Sequence, residues 1–110
     1  MKKSKHDKKY LSFVALERRV LFRCPEWRSL TLRAKVIYLY LKAHYQPLNN
    51  GQIQLHFSQL QDIPGFASKR GFYSGIRELE VSGWIVRVNG GGLYRNPNLY
   101  RLTGKFDEML

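Results

Sequence analysis

Arg70, Tyr73, Ser74 and Arg77 are spaced three, one and three residues apart in a stretch without proline. If that stretch is a helix, Phe72, Gly75, Ile76 and Leu79 share one face and point into a core. Arg70, Tyr73, Ser74 and Arg77 then fall on the opposite side, with Lys69 at the N-terminal end and Ser68 as the cap. The chemistry open to such a face is the recognition of a base-paired polyanion. Arginine can form paired hydrogen bonds to guanine, and serine and tyrosine can reach bases or phosphates. Free N–H groups at the start of the helix suit a phosphate near Ser68. Glu78 and Glu80 lie in later turns, away from that end.

A second group follows. Residues 84–88 and a run ending at Leu102 read as two strands joined at Asn89-Gly90-Gly91-Gly92. Arg87, Asn89, Arg95 and Asn96 would decorate this hairpin, and its glycines would let the backbone approach a phosphate or a minor groove. Pro97 places the return strand at an edge or starts it later. Between residues 63 and 106 stand Lys69, Arg70, Arg77, Arg87, Arg95, Arg101 and Lys105 against only Glu78 and Glu80. A third group, Lys2, Lys3, Lys5, Lys8 and Lys9, lies in a segment with no aliphatic or aromatic residue after Met1. Such a segment is expected to be a disordered basic tail that either adds phosphate contacts without sequence preference or serves only to keep the chain in solution.

Bulk composition agrees with this reading. The chain has 110 residues, an apolar fraction of 44% and a net charge of +11. That is enough apolar material for one core and enough charge to attract nucleic acid or acidic lipid. Its one cysteine, Cys24, allows no intrachain disulfide. No apolar run approaches the ~20 residues of a membrane span, and Glu17, Arg18 and Arg19 interrupt any secretory core, so a cytoplasmic location is expected.

The elements that must position these residues can be read along the chain. Residues 10–22 alternate as a strand or extended lead-in. Pro25 opens a short helix over residues 25–30, with Trp27 and Leu30 inward. Thr31 caps a helix over residues 32–45 that buries Ala34, Ile37, Tyr38 and Leu41 and leaves Arg33, Lys35 and Lys42 to water. Asn49-Asn50-Gly51 is a turn, and residues 52–57 alternate as a short strand with Ile53, Leu55 and Phe57 inward. Ser58 caps a short helix over residues 59–63 that stops at Pro64-Gly65. Ser68 then caps the longer helix, which ends near Ser82 with Gly83 as its stop.

Leu30-Thr31-Leu32-Arg33-Ala34, Asn50-Gly51, Phe57-Ser58-Gln59-Leu60, the run from Ser68 to Leu79 and Gly83-Trp84-Ile85 together resemble the winged helix-turn-helix domains of phage, prophage and plasmid proteins. The resemblance covers residues 24–103. It implies an α+β fold, a three-helix core with a small antiparallel sheet and a C-terminal β-hairpin wing, filling residues 10–106 between the basic tail (1–9) and a C-terminal tail (107–110). It implies double-stranded DNA as partner, in replication or transcription control of a mobile element. A homodimer and a replication or transcription protein are further candidate partners. That family often has threonine at the position of Gly71 and alanine at that of Gly75. Each helical glycine costs about 1 kcal/mol relative to alanine; a small residue at 75 permits close packing, whereas Gly71 suggests a later helix start or a looser first turn.

Other chemistries fit less well. His6, His44, His56 and Cys24 lack metal-ligand spacing, so no metal or cofactor is expected. No nucleotide-binding glycine motif is present, and neither a nucleophile–base set nor a carboxylate pair stands out, so the chain is not expected to be an enzyme. Trp27, Trp84, Tyr38, Tyr40 and Tyr45 read as core and core edge, with single-strand stacking a lesser option. The alternatives kept are a protein-interaction module of the same fold, using Tyr40 and Tyr94, and a lipid-surface protein using the tail with Tyr10, Leu11 and Phe13.

Overall fold

In the computed structural model, residues 13–89, 98–108 and 110 are described. Capping decides where the two long helices begin. Thr31 Oγ1 accepts the Ala34 N–H at 3.1 Å and opens α3 (Leu32–Ala43). Ser68 Oγ accepts the Gly71 N–H at 3.2 Å and opens α4 (Lys69–Val81). Each hydroxyl satisfies one of the donors that a helix start leaves unpaired. Two short helices precede them, α1 (Arg18–Arg23) and α2 (Pro25–Arg28), the latter with proline in its first turn. Gly83, at φ +88°, supplies the left-handed residue that ends α4 and turns the chain into β1 (Ile85–Asn89).

β1 pairs antiparallel with β2 (Leu99–Leu102), with Ile85 opposite Leu102, Val86 opposite Arg101 and Arg87 opposite Tyr100. Among the described residues the fold is thus α+β, four α-helices and a two-stranded antiparallel sheet. The core lies between α3, α4 and the inner face of the sheet. Ile37, Leu41, Phe72, Ile76, Leu79, Ile85 and Leu102 are all buried there. Trp27, Tyr38 and Trp84 meet edge to face, with ring centroids 5.1–5.8 Å apart, the geometry aromatic quadrupoles favour.

Several expectations are corrected. Of the stretch read as alternating through residue 22, the described residues 13–17 form no strand and Arg18–Arg23 is helical, so Val20 is buried while Phe22 is exposed. Residues 52–57 keep Ile53 and Leu55 inside but form one bridge, Ile53 to Tyr100, rather than a strand. The side-chain amide of Asn50 takes the neighbouring ladder positions, donating to the Leu102 carbonyl at 3.0 Å and accepting the Leu102 N–H at 2.9 Å. No α-helix forms over residues 59–63; a 3-10 turn spans Phe57–Gln59, opened by His56 rather than Ser58, and turns follow to Gly65. Pro64 disfavours helical geometry at Ile63, and the few residues left are too short to nucleate a helix. The helix expected over residues 32–45 ends at Ala43.

The largest correction concerns Lys42 and residues 107–110. Lys42 was expected in water and Asp107 in a tail, yet both are buried. Tyr38 and Lys42, one helical turn apart, both reach Asp107 Oδ2, the phenol at 2.7 Å and the ammonium at 2.5 Å. The Lys42 ammonium also donates to the Ala15 carbonyl. One cation therefore ties the segment before α1 and the end of the chain to α3. Burial, and then the hydrogen bond to Asp107, hold the Tyr38 hydroxyl well above the ordinary tyrosine pKa. No helix among the described residues is long and apolar enough to cross a membrane.

Candidate nucleic-acid interface

The amphipathic division of α4 follows its sequence. Phe72, Gly75, Ile76 and Leu79 are buried, and Lys69, Arg70, Tyr73, Ser74 and Arg77 are exposed. Tyr73 is 49% exposed, so its ring can meet a partner, while one edge rests on Phe72 with centroids 4.9 Å apart. Ser68, the cap, is exposed as well. Among the described residues no carboxylate forms an ion pair with Lys69, Arg70 or Arg77. Glu78, on the same helix, is held elsewhere: its carboxylate accepts the Thr31 N–H at 2.9 Å and the Thr31 hydroxyl at 2.7 Å.

The hairpin residues fare differently. Arg87 lies on the sheet face that looks toward α4, where its guanidinium donates to both oxygens of Glu80 at 3.1 and 3.2 Å. That bond holds the guanidinium all the more firmly in its charged form. Arg87 is half-exposed and carries an internal partner. Asn89 ends β1, and its side chain lies outside the described residues, as do Arg95, Asn96 and Tyr94, and Lys2, Lys3, Lys5, Lys8 and Lys9. Arg101 is exposed on the outer sheet face opposite Val86. Tyr100, on the inner face, is raised above the ordinary tyrosine pKa by burial. Tyr40, a candidate docking residue of the interaction-module alternative, is partly buried against the core.

The two helical glycines have distinct neighbours. A Cβ on Gly75 would sit 2.4 Å from Ile37 Cδ1, so the close crossing of α3 and α4 requires a glycine there. A Cβ on Gly71 would meet the guanidinium of Arg33, with Nε at 3.2 Å and Cζ at 3.3 Å. Because α4 begins at Lys69, directly after its Ser68 cap, Gly71 does not mark a later helix start. Arg33 is the residue sequence reading left out of this surface; the signal for it was the glycine pair one turn apart on the facing helix.

A surface cleft of about 340 Å³ is lined by His44, Asn49, Gln52, Ile53, Gln54, His56 and Gln59, with neither carboxylate nor thiol to pair with its histidines. Cys24 is buried, and among the described residues no three of His, Cys, Asp and Glu gather as a metal site would require. The arrangement on α4, by contrast, can donate hydrogen bonds and neutralise negative charge along a groove. No known protein family, curated protein or solved structure matches this chain.

Proposed function

We propose that the chain is a winged helix-turn-helix domain that binds double-stranded DNA, with α4 in a major groove and the β1–β2 hairpin against the flanking backbone or minor groove. One observation carries this reading: α4 hides its apolar side completely and leaves Lys69, Arg70, Tyr73, Ser74 and Arg77 in solvent with no ion-paired acid among the described residues. The order of a helix capped by Thr31, a segment bridged at Ile53, α4 and an antiparallel strand pair supports it, whereas turns stand where that fold has its middle helix. The proposal includes no chemical step and no cofactor. A place in replication or transcription control of a mobile element rests on the resemblance of the motifs alone.

The test is binding of duplex DNA by the intact chain across a range of salt. Affinity should fall with a log–log slope of about −0.9 for each phosphate contacted. Arg70→Ala and Arg77→Ala should each weaken binding by about 1–3 kcal/mol, and at least one should change base preference. Wild-type affinity in both variants would remove α4 as the reading element. A second reading, a protein-interaction module without DNA affinity, draws on Val81, Val86 and Val88, which are exposed at the end of α4 and on β1. Absence of duplex binding at physiological salt would favour it.

A further inference from the structure

Packing accounts for Gly75 but not for Gly71. Ile37, the neighbour of Gly75, is fully buried, so its methyl can give way only by repacking the core around it. The neighbour of Gly71 is an exposed guanidinium, which could swing into water at little cost. Gly71 also lacks the positive φ that would demand glycine, and alanine would favour the helix there. The stem of Arg33 passes over Gly75, with Cγ and Cδ lying 3.3 and 3.6 Å from where a Cβ would stand, and its head lies over Gly71. The side chain is thus laid along α4 toward the end that carries Ser68, Lys69 and Arg70. Among the described residues no acid pairs with Arg33, and Glu78 is held by Thr31.

We infer that Arg33, delivered from α3, contacts a backbone phosphate of bound DNA beside the first turn of α4, and that Gly71 is the positioning residue that leaves room for it. The inference rests on the duplex-binding reading and adds a contact to it. A guanidinium is planar and presents paired donors that match two phosphate oxygens, which an ammonium does not. With its stem packed across Gly75, only the terminal torsions are left to fix when the head meets a phosphate. A contact of this kind sets the register of α4 in the groove without reading a base.

The experiment measures anisotropy of a short, labelled, mixed-sequence duplex over a salt series, with the full chain and three variants. Arg33→Gln keeps the stem over Gly75 and removes the charge; it should weaken binding roughly tenfold and make the log–log slope shallower by about 0.9. Arg33→Lys should restore the slope but only part of the affinity. Gly71→Ala should weaken binding while leaving the thermal midpoint unchanged or higher. Wild-type affinity and slope for Arg33→Gln, with binding lost in Arg70→Ala, would overturn the inference and leave the duplex-binding reading standing. A changed base preference with an unchanged slope would overturn the phosphate assignment, and unaltered binding by Gly71→Ala would overturn the role of the glycine. An intact chain with no duplex affinity would overturn both readings.

Discussion

Replacing Lys42 with methionine removes a buried ammonium while keeping most of the stem, and it exposes how the fold manages a buried ion pair. Asp107 is 1% exposed and accepts from Lys42 at 2.5 Å and from the Tyr38 hydroxyl at 2.7 Å. Loss of one partner from a buried pair destabilises by about 3–5 kcal/mol, because the charge left behind has no water to turn to. In Lys42→Met the phenol still donates to Asp107, so the lower end, about 3 kcal/mol, applies. Asp107→Asn leaves the Lys42 ammonium with the Ala15 carbonyl and a neutral amide, and the upper end applies. At about 4 °C per kcal/mol for a domain of this size, Lys42→Met should lower the melting temperature by about 12 °C. The double variant Lys42→Met/Asp107→Leu removes both charges and should recover most of that loss, giving a coupling of several kcal/mol in a double-mutant cycle. Urea unfolding followed by circular dichroism measures each corner of the cycle. A Lys42→Met variant within about 1 kcal/mol of wild type would refute the account of the pair as buried and mutually dependent.

Three further outcomes follow from the same geometry. Gly75→Ala should lower stability by about 1–2 kcal/mol despite its better helix propensity, since the new methyl would lie 2.4 Å from Ile37 Cδ1; a rise in melting temperature would show that α3 and α4 part easily. Glu80→Gln frees Arg87 from its internal partner, so it should tighten duplex binding a few-fold and steepen its salt dependence, with stability changed by less than about 0.5 kcal/mol for an exposed pair. Tyr38 and Tyr100 hold their protons above the ordinary value of about 10. Their contribution to stability is therefore complete below that pH and is lost as the pH rises beyond it, because the unfolded chain ionises first. Ultraviolet titration should show these two phenols ionising only as the chain unfolds.

What could be read from the chain was local. Thr31 and Ser68 declared their helices because a hydroxyl cap acts within three residues, and Gly83 ended α4 because its backbone preference is its own. The burial of Phe72, Gly75, Ile76 and Leu79 followed from periodicity. Features that depend on distant partners were not legible. Lys42 follows Leu41 in a helix that had cations to spare for solvent, and nothing nearby announces an acid 65 residues away. Asn50 read as a turn residue, while its amide also completes a sheet edge 52 residues along the chain. Residues 59–63 carry an apolar pair that suits a helix, but Pro64 and the short span left only turns.

A net charge of +11 attracts polyanions without choosing where they bind. Location comes from how the fold uses its acids and fixes its helices. Glu78 is committed to the first residues before α3, and Glu80 to Arg87 on β1, so the two acids of α4 act as internal ties and leave its outer cations unopposed. Rotation of α4 about its axis would undo this, yet Gly75 against Ile37, Phe72 edge-on to Phe57 and Glu78 on Thr31 hold it at three points along its length. A helix so held presents Arg70 and Arg77 in one fixed direction, with Lys69 about a quarter turn round the axis. Fixed direction is what separates groove recognition from loose attraction, since paired hydrogen bonds to a base need the donor placed before the partner arrives.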